Sequence, residues 1–191
     1  MIKTIGHSNM NIEEFINIIK NYNVNIIADV RSVPYSKYVP HFNREDLRNI
    51  LNKNNIKYIF LGDKLGARWK EPDAITNNKA DFEKIKKIQI FKKGIEELIK
   101  LSENNNTAIM CSEKNPLDCH RFGLISPVLK EKNIVIEHIL DQTNIKSQEY
   151  IENKLINKYK DKIPELFIQN DEDMLKSAYE YLNQDIGYIV K

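Results

Sequence analysis

The stretch TAIMCSEKNPLDCHRFGLISPVLKEKNIVIEHIL, from Thr107 to Leu140, decides the fold, and it holds both cysteines and two of the four histidines. The apolar run Ala108, Ile109, Met110 predicts a buried strand that stops at Cys111, Ser112 and Glu113, so reactive groups begin where the strand ends. Asn115 and Pro116 mark a loop. Asp118 reads as the N-cap of a helix reaching Lys132, with Leu124, Ile125, Val128 and Leu129 as its apolar stripe. That places Cys119, His120 and Arg121 in a first helical turn, where unpaired N–H groups and the helix dipole favour an anion and depress a thiol pKa. Ile134 to Leu140 then returns as a strand.

Working outward, Ile2 to Gly6 is a short apolar strand followed by His7, Ser8 and Asn9. Asn11, with Glu14 three residues on, predicts a helix start, and Ile12, Phe15, Ile16 and Ile19 recur at helical spacing. Val24 to Val30 is apolar enough to be covered on both faces and delivers Asp29 and Arg31 near its carboxyl end. Ser32 to Phe42 is a loop with Pro34, Pro40, Tyr35 and Tyr38; Asn43 caps a helix carrying Leu47, Ile50 and Leu51, and Tyr58 to Leu61 is a third strand. Gly62 to Ala80 lacks periodicity and reads as a long loop, either a lid or a disordered segment. Asp81 caps a long helix with Phe82, Ile85, Ile88, Ile95, Leu98 and Ile99 on its core side.

The expected fold is α/β: a Rossmann-like, mostly parallel five-stranded sheet with helices on both faces, in a core of residues 1–140. Residues 141–191 form a helical C-terminal extension packed on that core, with helices at Gln148 to Asp161 and Asp171 to Leu182. Ligands of such sheets bind outside the carboxyl ends of the strands. His7, Ser8, Asp29, Arg31, Gly62, Cys111, Glu113, Cys119, His120 and Arg121 are therefore expected to converge on one edge.

A length of 191 residues suits one domain, and a net charge of +2 supplies no basic field for duplex nucleic acid or an anionic membrane. Two cysteines make no disulfide framework, the N-terminus has no charged-then-apolar signal, and no apolar run approaches the roughly 20 residues that span a bilayer. The expected location is the cytoplasm. No repeat, GxGxxG or GxxxxGK[ST] fingerprint occurs.

Four segments, TIGHSN (Thr4 to Asn9), IIADVRSVPYSKYVPHFN (Ile26 to Asn43), LGDKLGA (Leu61 to Ala67) and MCSEKNPLDCHR (Met110 to Arg121), closely resemble the bacterial and archaeal family catalogued as domain of unknown function 488. The resemblance spans about residues 1–140 and implies a compact α/β domain and a site, without a reaction. That family commonly has Gly after LG and Ala after MC, where Ala67 and Ser112 stand here.

Several readings of the residues stay open. Cys111 is a nucleophile facing a helix N-terminus or a buried core cysteine. Rhodaneses and cysteine phosphatases place Arg six positions after Cys, where Leu117 stands here. No cofactor is predicted; zinc on Cys111, Cys119, His120 and another histidine is the alternative, although the cysteine gap is not the usual knuckle spacing. Arg31 and Arg121 clamp a phosphate or carboxylate, or pair with Asp29 or Glu113. His7 or His120 serves as acid or base, tuned by Asp29 or Glu113. Tyr35, Tyr38 and Phe42 stack on a base or on their own domain, and His138 is a core histidine. Together these describe an enzyme that binds an anionic small molecule, a nucleotide or sugar phosphate, for group transfer or hydrolysis. Its catalytic candidates are His7, Asp29, Cys111, Glu113 and His120; Ser8, Arg31, Tyr35, Gly62, Cys119 and Arg121 bind. The alternatives are a non-catalytic ligand-sensing or nucleic-acid-associated module and a cysteine-based sulfurtransferase or phosphatase-like enzyme.

Overall fold

The computed structural model describes residues 1–164 and 170–190; the stretch 165–169 of the expected extension, and position 191, lie outside the described residues. The first strand, β1 (Ile2–Gly6), is buried at every position, as its apolar composition requires. It leads into α1 (Ile12–Asn21), whose start is capped by Asn11 Oδ1 accepting the Glu14 N–H at 2.7 Å. Next come β2 (Ile26–Asp29), α2 (Arg44–Lys53) and β3 (Lys57–Phe60). Asn43 precedes α2, but its side-chain oxygen accepts the Ser36 N–H at 2.7 Å, tying down the loop instead of capping the helix.

Residues 62–80 are not a structureless loop. They form α3 (Gly62–Leu65), a 3-10 turn at Pro72–Ala74 and a hairpin of β4 (Ile75–Thr76) and β5 (Lys79–Ala80). The hairpin turns through Asn77 and Asn78, both at positive φ (50 and 59), which asparagine tolerates better than most residues. Trp69 is buried against the core and donates its indole N–H to the Gly66 carbonyl at 2.7 Å. Elements this short leave no periodic signature.

The expected long helix is two pieces, α4 (Phe82–Ile85), capped by Asp81, and α5 (Gln89–Ser102). Ile88 breaks the run by turning extended (φ −72, ψ 134) and packing against the core. Then follow β6 (Thr107–Cys111), α6 (Ser126–Glu131), β7 (Ile136–Ile139), β8 (Ile145–Ser147), α7 (Gln148–Tyr159) and α8 (Asp171–Ile186).

The main sheet runs β3-β2-β6-β1-β7-β8, parallel except for β8, which adds antiparallel to β7. It thus has six strands against the five read from periodicity, because β8 is three residues long and only partly buried. Alternation within β6 divides the core. Ala108 and Met110 pack with Phe15, Ile19, Leu47 and Leu51 on the α1 and α2 face, while Ile109 and Cys111 pack with Phe91, Ile95, Leu124, Ile125 and Leu129 on the other.

A third cluster, Phe122, Ile151, Leu155, Tyr159, Ala178 and Leu182, seats α7 and α8 against the helix that follows β6. A buried polar chain reinforces it. His138 accepts from Thr4 Oγ1 at 2.8 Å and donates to Gln148 Oε1 at 2.8 Å, and Gln148 donates to Glu152 at 3.1 Å. The chain leaves β1 toward one face and leaves its neighbour β6 toward the other, so their carboxyl ends form the topological switch point of the sheet.

Candidate functional site

Cys111 is the last residue of β6, and its side chain faces the helix that follows. That helix begins differently from the sequence reading. Asn115, not Asp118, caps a 3-10 turn at Pro116–Asp118 by accepting the Leu117 N–H at 3.2 Å. Cys119 is extended (φ −136, ψ 138), and its carbonyl accepts from Phe122 at 3.1 Å and Gly123 at 3.0 Å. Cys119 therefore occupies the capping position itself, with its sulfur 3.5 Å from the Arg121 N–H. A π-helical turn, Arg121–Ile125, precedes α6. Pro127 explains the wider turn, since it has no N–H to give and its ring would crowd a carbonyl of the preceding turn.

These elements bring four donors together: one ligating atom each from Cys111, Glu113, Cys119 and His120, all within 4.8 Å of one another. His120 Nδ1 lies 3.6 Å from the Cys111 sulfur and 3.8 Å from the Cys119 sulfur, and the Cys111 thiol is 2.9 Å from Glu113 Oε2. Cys111, Cys119 and His120 are buried, whereas Glu113 is exposed as a residue and turns its carboxyl toward the thiols. The four form a group that can hold a metal ion.

Burial pushes the Cys111 thiol well above its ordinary range, aided by Cys119 and Glu113. Burial opposes ionisation of Cys119 as well, but the hydrogen bond with Cys111, the Arg121 charge and His120 outweigh it, and that thiol falls well below its ordinary range. Burial would lower His120, but Cys119 and Glu113 overcome it and the imidazole moves upward. Burial, then the charge of Cys119, raises Glu113.

Three of the expected residues form a second group. Arg31 donates to Asp29 from Nε at 2.9 Å and from Nη2 at 2.6 Å, to the Phe42 carbonyl at 2.8 Å, and to His7 Nε2 at 3.1 Å. Tyr58 donates to the same carboxylate at 2.7 Å. His7 gives its Nδ1 proton to the Ser8 carbonyl at 2.8 Å, and burial followed by the Arg31 charge lowers its pKa to about 4. Such a histidine is neutral, and both of its nitrogens are engaged. Main-chain bonds join the two groups: His7 N–H to Cys111 O at 3.0 Å, Ser8 N–H to Ser112 O at 2.7 Å, and Val30 N–H to Met110 O at 3.1 Å.

Neither arginine presents the open clamp that the sequence allowed. Arg31 is committed to Asp29, and Arg121, fully buried, donates to the Glu113 carbonyl at 2.6 Å and the Lys114 carbonyl at 2.8 Å. Gly62 is buried under the Arg31 carbonyl, which an added Cβ would meet at 2.0 Å. Tyr35 is exposed and bonded to Glu45 at 2.9 Å; Phe42 is buried, stacked on His7 at 4.1 Å between centroids. Sequence reasoning missed Val30, whose carbonyl holds His120, and Gly6, where a Cβ would lie 1.8 Å from the Glu113 carbonyl. Glycine at the end of a buried strand is the signal that marks such a close approach.

A doubly wound α/β domain with a dithiol, imidazole and carboxyl cluster at the carboxyl edge of its sheet defines the class. Residues 11–126 match the family described as Domain of unknown function DUF488, and the chain belongs to that family. No curated protein and no solved structure matches the chain. Among the described residues, no helix is long and apolar enough to cross a membrane.

Proposed function

We propose that this protein is an enzyme that carries out hydrolysis or group transfer on an anionic small molecule, of the nucleotide or sugar phosphate class, at the carboxyl ends of the strands beside β1 and β6. The observation that supports this most is the convergence of Cys111, Glu113, Cys119 and His120 within 4.8 Å at the carboxyl edge of a parallel sheet. Glu113 is the exposed member, so it is the group that meets substrate and moves a proton. The buried thiols and imidazole tune it from behind. With Arg31 and Arg121 committed to protein partners, an anionic substrate meets Lys114 and Asn115, both exposed beside Glu113. Two free thiols this close fit a reducing, cytoplasmic compartment.

The test is a thermal-shift panel of phosphate, nucleotides and sugar phosphates, followed by turnover assays on each ligand that stabilises the protein. Glu113→Gln is expected to bind the same ligand while losing roughly 10²–10⁴-fold in turnover. Ligand binding with no turnover by the wild type would overturn the enzyme reading in favour of a binding module.

A further inference from the structure

We propose that Cys111, Cys119 and His120 hold a divalent transition-metal ion of the zinc class, with Glu113 as a fourth, exchangeable donor on the solvent side and Arg121 as the buried counter-charge. This deepens the reading above and rests on the same cluster.

Three observations carry it. The first is spacing: at about 2.3 Å for metal–sulfur and 2.0–2.1 Å for metal–nitrogen bonds, tetrahedral ligands sit about 3.5–3.8 Å apart. His120 Nδ1 stands 3.6 and 3.8 Å from the two sulfurs. The second is the imidazole's orientation. His120 Nε2 lies 3.1 Å from the Val30 carbonyl, which can only accept, so Nε2 carries a proton and Nδ1 is the nitrogen that faces the thiols, free to ligate once its own proton has left. A backbone carbonyl behind a histidine ligand is the usual way such a ring is fixed.

The third is charge. Arg121 is fully buried, none of the ion pairs among the described residues includes it, and its Nε has no hydrogen-bond partner. Buried charge requires a compensating one. Two thiolates and a carboxylate around a divalent ion leave one net negative charge, which Arg121 matches. Loading releases the thiol protons to solvent as the metal–sulfur bonds form. Burial also argues against a nucleophilic role: Cys111 is 3% exposed and Cys119 1%, so a substrate does not reach either sulfur, and Glu113 is the exposed member of the four.

The test loads the reduced, full-length protein with Zn²⁺ or Co²⁺, removes excess metal and measures metal per chain together with the reactivity of both thiols. One equivalent is expected, with both thiols protected and a cobalt spectrum showing thiolate-to-metal charge transfer. Cys111→Ser and Cys119→Ser should lose that spectrum, Glu113→Gln should keep the metal, and Arg121→Met should weaken retention about 10–100-fold, with Arg121→Lys restoring it. Wild-type protein that retains no metal and leaves its thiols unprotected overturns the proposal, whatever the variants do. The two readings fail separately: a wild-type protein that retains no metal yet turns over a ligand removes the metal and leaves the enzyme, while a loaded protein that turns over nothing does the reverse.

Discussion

His120 donates from Nε2 to the main-chain carbonyl of Val30 at 3.1 Å, so a residue at the start of one helix is held by the end of a neighbouring strand. The bond fixes which ring nitrogen faces the two sulfurs. His120→Ala removes it, opens a cavity and leaves the thiols without their imidazole. A loss of about 2–4 kcal/mol is expected in urea unfolding. A change below about 0.5 kcal/mol, the level of an ordinary surface substitution, would show that the bond anchors nothing.

Asp29 and Arg31 form the other buried pair, 2.6 Å apart and 0% and 5% exposed. Asp29→Asn leaves a buried guanidinium without its carboxylate and should cost about 3–5 kcal/mol. Replacing both, as Asp29→Leu with Arg31→Met, should cost less than that single change. If the double variant is the less stable, the pair contributes more than its own desolvation.

His7 and His138 are both held at about pKa 4, His7 by burial and the Arg31 charge, His138 chiefly by burial, against an ordinary 6.5. The unfolded chain therefore binds protons that the folded one refuses. Stability is complete above pH 6.5 and falls as pH drops toward 4, by up to roughly 1.4 kcal/mol per pH unit for each group. Unfolding free energies at pH 7, 6 and 5 measure this. His138→Gln should flatten the slope; an unchanged slope would assign the acid sensitivity elsewhere.

Gly6→Ala should disrupt the loop that carries Glu113, because the new Cβ would fall 1.8 Å from the Glu113 carbonyl oxygen, a backbone atom that cannot rotate out of the way. We expect destabilisation of at least about 2 kcal/mol, the range of strained or overpacked sites. Wild-type stability in this variant would mean that the loop can move off β1 at little cost.

Zinc in excess should raise the melting temperature of the reduced protein by binding the folded cluster. At 100 times the dissociation constant the expected gain is about 2.7 kcal/mol. A chelator should reverse it. No shift in either direction would count against the metal site.

The apolar runs ending at Gly6, Asp29 and Cys111 make the parallel sheet and its carboxyl edge legible, because a strand covered on both faces must be apolar throughout and polar groups can resume only where it stops. Asn11 and Asp81 are legible as caps for the same local reason. The start of the helix after β6 is not, since Asn115, Asp118 and Cys119 each offer a capping group within a few residues and only packing selects among the possible starts. The hairpin at residues 75–80 and β8 leave no trace in the pattern because pairing partners, not periodicity, define strands of two or three residues. Where each apolar run stops is enough to say which reactive side chains reach the sheet edge. That Arg31 turns to Asp29, that Arg121 turns inward beneath the Glu113 loop and that His120 is aimed by Val30 came from packing alone, because each orientation depends on a main-chain carbonyl or carboxylate whose position the folded chain sets.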